Sequence, residues 1–272
     1  MTSNPDLAAR ARAFAALHTP AAPLALANAW DVASARIVEA AGAPAVATTS
    51  AGVAWSLGSP DGDALARDRA LDLVARVAAA VCVPVTADIE SGFGADPAAV
   101  AETVAGVLAA GAVGVNIEDG TRAPAEHAER VAAARSAAEA AGVPLYINAR
   151  VDTYLRGLGD SAARLDETLA RAAAYLRAGA TGVFVPGVTD PATVAELAKG
   201  IDAPLNVLAG PGAPAVAEFG ALGVARVSLG SWVAEAAYAV ARRAAEELVS
   251  GGTYGSLAGS LPYGELNSLL TS

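Results

Sequence analysis

The chain has 272 residues and a formal net charge of −10, from 28 acidic and 18 basic side chains, and its basic residues form no cluster, so nucleic acid is not an expected partner. Cys82 is the only cysteine, which excludes an intrachain disulfide and a thiolate zinc site and fits a reducing compartment. No segment reaches the roughly 18 uninterrupted apolar residues of a membrane span, and the start of the chain, with Asp6, Arg10 and Arg12, lacks the apolar core of a secretory signal, so no membrane partner and a cytoplasmic location are expected.

In chain order, residues 4–18 read as a leading helix. From Ala22 onwards short β-like runs alternate with alanine-rich amphipathic stretches, about every 30 residues. The runs are 23–28, 44–49, 85–89, 114–117, 145–149, 182–185, 205–208 and 226–229, eight in all. Several are preceded by a helix-ending glycine and a small residue, as in Ala110-Gly111-Ala112 and Ala178-Gly179-Ala180. Asp96-Pro97 and Asp190-Pro191 read as helix starts, a polar cap followed by proline at the first helical position.

Short apolar strands, each followed by a helix, need a parallel sheet because parallel strands require a crossover. Eight such units predict a single (β/α)8 TIM barrel of class α/β. The alternative, a doubly wound open sheet, carries a glycine-rich turn after its first strand, and Ala27-Asn28-Ala29-Trp30-Asp31 stands there instead. One domain is expected over 1–272, with a barrel core over about 22–250. A C-terminal extension over 251–272 is expected to pack on a neighbouring element or on a partner subunit of a homo-oligomer.

A barrel strand carries its chemistry at the C-terminal end, where the loops converge. The third strand runs into Asp88-Ile89-Glu90-Ser91-Gly92-Phe93-Gly94, the fourth into Glu118-Asp119 and the fifth into Arg150-Val151-Asp152. Strand alternation predicts that Asp88 and Glu90 point the same way. The second strand leads into Ser50-Ala51-Gly52 and a loop with Asp61 and Asp63. Carboxylates gathered in one mouth raise one another's pKa unless a cation joins them. Oxygen ligands without nearby histidine or cysteine favour Mg²⁺, with Mn²⁺ as the alternative, bound by one or two carboxylates directly and by the rest through water. Arg150 suits a two-point clamp on a carboxylate, and the Ser50-Ala51-Gly52 turn suits backbone N–H donation to the same anion. Asn206, at the seventh strand, is a further substrate-contact candidate.

Four motifs carry a resemblance: Thr49-Ser50-Ala51-Gly52 with Gly58-Ser59-Pro60-Asp61, Asp88 to Gly94, Asn116-Ile117-Glu118-Asp119, and Asn148-Ala149-Arg150-Val151-Asp152. In order and spacing they resemble the isocitrate lyase/phosphoenolpyruvate mutase superfamily over residues 10 to about 250. The resemblance implies a Mg²⁺-dependent barrel that stabilises an enolate of a small α-keto or α-hydroxy acid. It implies Asp88 nearest the metal, with Glu90, Glu118 and Asp61 in support, and Arg150 with Ser50, Ala51 and Gly52 on the acid. Glu118, Asp61 and Arg150 are thus the catalytic candidates. It also implies a dimer or tetramer in which the eighth barrel helix packs on, or is exchanged with, a neighbouring subunit.

The loop after Glu118-Asp119 departs from the family. The lyases carry a Lys-Lys-Cys-Gly-His segment there, whose cysteine moves the proton, whereas this chain has Gly120-Thr121-Arg122-Ala123-Pro124. The lysine and asparagine that phosphonate mutases carry on that loop are missing too. Cys82 lies before the third strand, at the opposite end from the site. The sixth strand ends in Val185-Pro186-Gly187, where many lyases place a glutamate. Carbon–carbon cleavage or decarboxylation of a small oxo or hydroxy dicarboxylate is the expected activity. Phosphorus–carbon chemistry on a phosphonopyruvate-like substrate and a keto-acid-binding paralogue with little turnover are the alternatives. His18 and His127 read as surface or helix residues rather than ligands, the Ala209-Gly210-Pro211-Gly212 loop reads as a plain turn, and Trp30, Trp55 and Trp232 read as packing residues, with a roof over the pocket as the alternative for Trp55 alone.

Overall fold

Helix α1 (Asn4–Ala16) closes the N-terminal end of a parallel sheet in the computed structural model, which describes residues 4–271. The sheet is built from β1 (Leu24–Leu26), β2 (Asn28–Ala29), β3 (Val46–Thr48), β4 (Val85–Asp88), β5 (Gly114–Glu118), β6 (Tyr146–Arg150), β7 (Gly182–Val185), β8 (Leu205–Leu208) and β9 (Val224–Ser228). β1 and β2 are two parts of one run broken at Ala27, and they pair on opposite sides, β1 with β9 and β2 with β3. That run joins the ends of the sheet and curls it into an α/β TIM-type barrel. The eight β-like runs therefore become nine strands, and the other boundaries move by only one or two residues.

Helices α2 (Val32–Ala40), α4 (Arg67–Ala80), α5 (Pro97–Ala109), α6 (Pro124–Ala140), α7 (Arg164–Arg177), α8 (Pro191–Gly200), α9 (Val216–Ala221) and α10 (Trp232–Gly251) return the chain between strands, and a short α3 (Ser50–Ser56) is inserted after β3. The local signals act as their chemistry requires. Asp96 accepts from the backbone N–H of Ala99 at 2.8 Å and Asp190 from that of Thr193 at 2.9 Å, each with proline in the first turn. Gly111 and Gly179 close their helices at φ 93° and 107°, in the left-handed region that favours glycine. Asp96→Ala is expected to lower the unfolding free energy by about 1 kcal/mol with the fold unchanged, as read from urea titrations.

The core lies between strands and helices and is built from small side chains, with Val46, Val77, Val104, Val115, Ile147, Val183 and Val207 all buried. α1 plugs the barrel floor through Phe14, which is fully buried against Tyr146 and His18 at ring-centroid distances of 5.5 and 4.8 Å. Gly114 makes the room, since a Cβ there would stand 2.7 Å from the Phe14 ring. Both histidines are buried, His127 on helix α6, one of the two settings expected, and His18 just after α1. His18 stacks on Tyr146 at 3.9 Å, His127 is fully buried on α6 beside Tyr175, and burial pushes both rings down to about 3, so both stay neutral.

The C-terminal extension consists of a 3₁₀ turn (Gly255–Leu257) and α11 (Tyr263–Thr271), and α11 lies on α2 of its own barrel, where Arg36 Nε donates to the Leu269 carbonyl at 2.7 Å. No helix among the described residues is long and apolar enough to cross a membrane.

Candidate metal and substrate site

β5 and β6 pair in register so that Asn116 faces Asn148 and Glu118 faces Arg150. Alternation along both strands turns all four side chains into the barrel. The two asparagines form part of a polar layer inside it. Asn148 Nδ2 donates to Asn116 Oδ1 at 2.9 Å and to Asn206 Oδ1 at 3.0 Å, and Arg226 Nη2 donates to Asn116 Oδ1 at 3.3 Å. Two residues further up, Glu118 and Arg150 rise to the strand ends and pair at 2.6 Å. Arg150 also grips Asp152, Nε to Oδ1 at 2.6 Å and Nη2 to Oδ2 at 3.2 Å. Burial disfavours the charged guanidinium, but Glu118, Asp152 and Asp88 around it outweigh that and raise its pKa, so it stays cationic.

Asp88 ends β4 at the same mouth. Its backbone N–H donates to Thr48 Oγ1 at 2.9 Å, and its Oδ2 accepts from the Ser50 hydroxyl at 3.1 Å and, at 3.4 Å, from the Ser50 N–H. Ser50, Ala51 and Gly52 form the first turn of α3 rather than an open turn, and N–H groups of a first helical turn have no acceptor within the helix. Gly52 has to be glycine here, because a Cβ would stand 2.8 Å from both Thr49 Cγ2 and Trp30 Cβ. Burial pushes the Asp88 pKa up, against Arg150 and the Ser50 hydroxyl, and nearby Asp61 pushes it further.

Glu90 reaches the cluster by a different route from the alternation expected of it. The strand stops at Asp88, and Glu90 sits at φ 50° in the following loop, its N–H on Asp88 Oδ1 at 3.3 Å and its carboxylate accepting from the Asp63 N–H. Asp63 and Phe93 also have positive φ, 59° and 49°, so three non-glycine residues hold the left-handed conformation around one mouth. Such strain persists where surrounding contacts enforce it and gathers at functional sites. Asp61 is exposed on the α3–α4 loop and acts on Asp88 and Glu90 through its charge.

Other candidates are placed elsewhere. Asn206 lies inside the barrel, 1% exposed, where its amide nitrogen donates to the Arg226 carbonyl and the Ser228 hydroxyl, so the interior layer rather than the mouth engages it. Trp55 packs edge-on against Tyr238 of α10 at 6.2 Å, not over the strand ends. Gly210 of the Ala209–Gly212 loop lies under the Trp232 indole, where a Cβ would stand 2.6 Å from Nε1.

Further residues, to which the sequence reading gave no site role, complete the arrangement. Asp119 is fully buried and accepts from the Asp152 N–H, Arg171 and the Tyr175 hydroxyl at 2.8–2.9 Å, so it fixes the segment that holds Arg150. Arg156 meets Asp152 at 3.1 Å and Glu118 at 3.6 Å. Arg122 donates to Ser91 Oγ at 3.1 Å. Arg226 is buried in the barrel interior, with Nε and Nη1 unpartnered among the described residues, and burial holds its pKa down at about 10. The sequence signal for the interior layer was present in Asn116 and Asn148, polar residues two positions before Glu118 and Arg150 in otherwise apolar strands.

The donor set fits a hard divalent cation. It is all oxygen, and burial followed by mutual repulsion raises the carboxyls although Arg150 is present: Glu90 to about 7, Glu118 to about 8. Asp88, Glu90 and Glu118 do not, however, form a cage of direct ligands. Among the described residues no three His, Cys, Asp or Glu side chains are grouped closely enough to hold an ion jointly. The arrangement suits one or two carboxylates in direct contact and the others at longer range.

Both glutamates bind a proton more tightly folded than unfolded, so the stability they contribute is complete below about 4.5 and is lost as pH rises through about 7 for Glu90 and 8 for Glu118. Glu118→Gln is therefore expected to stabilise the metal-free chain by a few kcal/mol at about pH 9 and by little at about pH 5, in thermal or urea unfolding.

Comparison with known proteins shows the family. The family model described as phosphoenolpyruvate phosphomutase matches residues 14–249. The chain belongs to that family, within the isocitrate lyase/phosphoenolpyruvate mutase superfamily. It is 41% identical over 258 residues to the uncharacterised protein Rv1998c of Mycobacterium tuberculosis H37Rv, covering 94% of this chain and 95% of that one. It is 30% identical to 2-methylisocitrate lyase of Escherichia coli K12 over 71% of this chain and 68% of the other. The same identity over 72% and 69% relates it to an oxaloacetate decarboxylase of Rhodopseudomonas palustris TIE-1. Among solved structures, a lyase/mutase candidate from Burkholderia cenocepacia J2315 is 41% identical with a TM-score of 0.90, covering 98% and 97% of the two chains. A phosphonopyruvate hydrolase in complex with oxalate and Mg²⁺ is 25% identical with a TM-score of 0.81 over 96% and 94%. The superfamily thus includes lyases, decarboxylases and phosphonate enzymes.

Proposed function

We propose that the chain is a Mg²⁺-dependent lyase that cleaves a carbon–carbon bond, by retro-aldol cleavage or decarboxylation, in a small α-keto or α-hydroxy dicarboxylate. The observation that carries this reading is the in-register Glu118–Arg150 pair beside Asp88, in which buried carboxylates outnumber the cation that answers them. Asp88 would hold the ion directly, with Glu90, Glu118 and Asp61 around it; Mn²⁺ satisfies the same oxygen set. When bound, the ion supplies a Lewis acid that lowers the energy of negative charge developing on the substrate's oxygens. The chain's own groups do the rest. Arg150 presents a cation to the substrate carboxylate, Ser50, Ala51 and Gly52 offer first-turn donors to the same group, and Glu118 is placed to hold or release a proton at Oε1 or Oε2.

Two relatives support carbon–carbon chemistry, the 2-methylisocitrate lyase and the oxaloacetate decarboxylase, and the oxalate and Mg²⁺ complex of the phosphonopyruvate hydrolase supports the metal. The test is a substrate panel of oxaloacetate, 2-methylisocitrate and phosphonopyruvate, each with Mg²⁺ and with a chelator. Metal-dependent turnover of either of the first two sustains the reading. Turnover of phosphonopyruvate alone replaces it with phosphorus–carbon chemistry, and tight Mg²⁺-dependent binding without product at high enzyme concentration replaces it with a binding paralogue.

A homo-oligomer, dimer or tetramer, belongs to the same proposal, as does a cytoplasmic location. On α10 only Ala234 is buried, while Trp232, Tyr238, Val240, Leu248 and Val249 are exposed, more apolar surface than a lone helix usually leaves to water.

A further inference from the structure

The loop after Glu118-Asp119, where the family lyases carry their cysteine, holds Arg122 in this chain, and Arg156 of the loop after β6 comes to the same glycine. Gly120 follows Glu118-Asp119 at φ 56°, and a Cβ built on it would lie 4.0 Å from Arg122 Nη1 and 4.0 Å from Arg156 Nη2. The two guanidinium groups come from different loops, Arg122 from the one after β5 and Arg156 from the one after β6, and the absent side chain leaves the space between them open. Each is anchored from the mouth side. Arg122 donates through Nη2 to Ser91 Oγ at 3.1 Å and lies 3.4 Å from Glu126; Arg156 donates through Nε to Asp152 at 3.1 Å and lies 3.6 Å from Glu118. Nη1 of both has no hydrogen-bond partner among the described residues. Arg122, but not Arg156, also lines a cleft of about 430 Å³ with Asp63, Ser91 and Phe93.

Arg150 differs from this pair. Its Nε, Nη1 and Nη2 are all engaged, by Asp152 and Glu118, so it has little capacity for a second anionic group. We infer that Arg122 and Arg156 form a distal anion clamp over Gly120 that reads the second carboxylate of the substrate, and that this clamp makes the enzyme selective for α-keto or α-hydroxy dicarboxylates over monocarboxylates. The inference rests on the keto-acid reading above and adds the residues that set its substrate class. Two guanidinium groups with unused donors offer a carboxylate charge-assisted hydrogen bonds from both sides. Arg122 contacts neither Asp88 nor Glu118, whereas Arg156 lies against Glu118 and Asp152, so Arg122 is the member that acts on affinity for the longer substrate and not on capture of a short one.

The test uses the full chain with Mg²⁺ and three probes. Oxalate reports the metal end alone. Malate and 2-hydroxybutyrate, measured by competition against oxalate in a calorimeter, share a four-carbon chain and differ in that one ends in a carboxylate and the other in a methyl group. Wild type is expected to prefer malate by about a hundredfold or more, each arginine contributing about tenfold to a hundredfold. Arg122→Met, which leaves Arg156 on Glu118, is expected to cut the preference for malate by about tenfold or more and to leave oxalate affinity within about threefold of wild type; Arg122→Lys is expected to recover part of the preference. An Arg122→Met variant that keeps the full preference for malate, or one that loses oxalate in the same proportion, overturns the clamp while the keto-acid site stands. Wild type that binds none of the probes overturns the keto-acid reading and the clamp with it.

Discussion

Asp88→Asn is expected to weaken Mg²⁺-dependent oxalate binding by a hundredfold or more and to leave the metal-free chain at least as stable as wild type. The change keeps the side chain's shape and its place on the Ser50 hydroxyl, 3.1 Å away, and removes only the negative charge. Loss of a group that merely supports a metal site commonly costs 10–100-fold in affinity, and the carboxylate in direct contact should exceed that range. Stability moves the other way because burial raises the Asp88 pKa despite Arg150, so without a cation its ionised form opposes folding. Calorimetry gives the affinity and thermal unfolding gives the stability. A variant that keeps wild-type affinity removes Asp88 from the metal. One that loses binding together with several degrees of thermal stability shows that the residue holds the fold instead.

The second large effect is expected at Arg150. Its guanidinium answers Glu118 at 2.6 Å and Asp152 at 2.6 and 3.2 Å, and Asp152 is fully buried. Arg150→Met would leave Asp152 with Arg156 and the two to share one half-exposed cation with Glu118. Removing one member of a buried pair typically destabilises by about 3–5 kcal/mol, because the remaining charge stays out of water without an answer. The same variant should lose keto-acid binding, since the clamp at the metal end is gone. Arg150→Lys restores the charge but not the planar fork that meets two carboxylates at once, so it should recover part of the stability and little of the binding. Urea unfolding at neutral pH reads the first quantity. A loss under about 1 kcal/mol would show that the ion pairs around Arg150 contribute no more than surface ones.

Much of this architecture is legible before any coordinate is known because it is periodic. The recurring strand, helix and glycine produce the barrel, and the caps at Asp96 and Asp190 fall where a polar residue precedes proline. Asp88, Glu118 and Arg150 are legible for a related reason: charges at the ends of apolar strands have few places to go except the mouth. Glu90 shows the limit of that logic. Counting by twos puts it beside Asp88, yet the strand ends one residue earlier and a left-handed backbone brings it there. Asp119 looks equivalent to Glu118 in sequence and is turned outward to Arg171 and Tyr175, partners more than 50 residues away that no local pattern reveals. Asn206 has the composition of a ligand contact and the position of an interior strut. Arg226 looks like the start of a strand and is a buried cation beneath the acid cluster. The register of neighbouring strands decides these roles, and register is a property of the closed barrel.

The metal reading has its most direct test in Mn²⁺ titrated into the protein and followed by electron paramagnetic resonance, with and without oxalate. The account predicts one tight site per chain, strengthened by oxalate and absent in Asp88→Asn. Mn²⁺ that stays free in solution at millimolar protein, or that binds equally well to the Asp88→Asn variant, would contradict it.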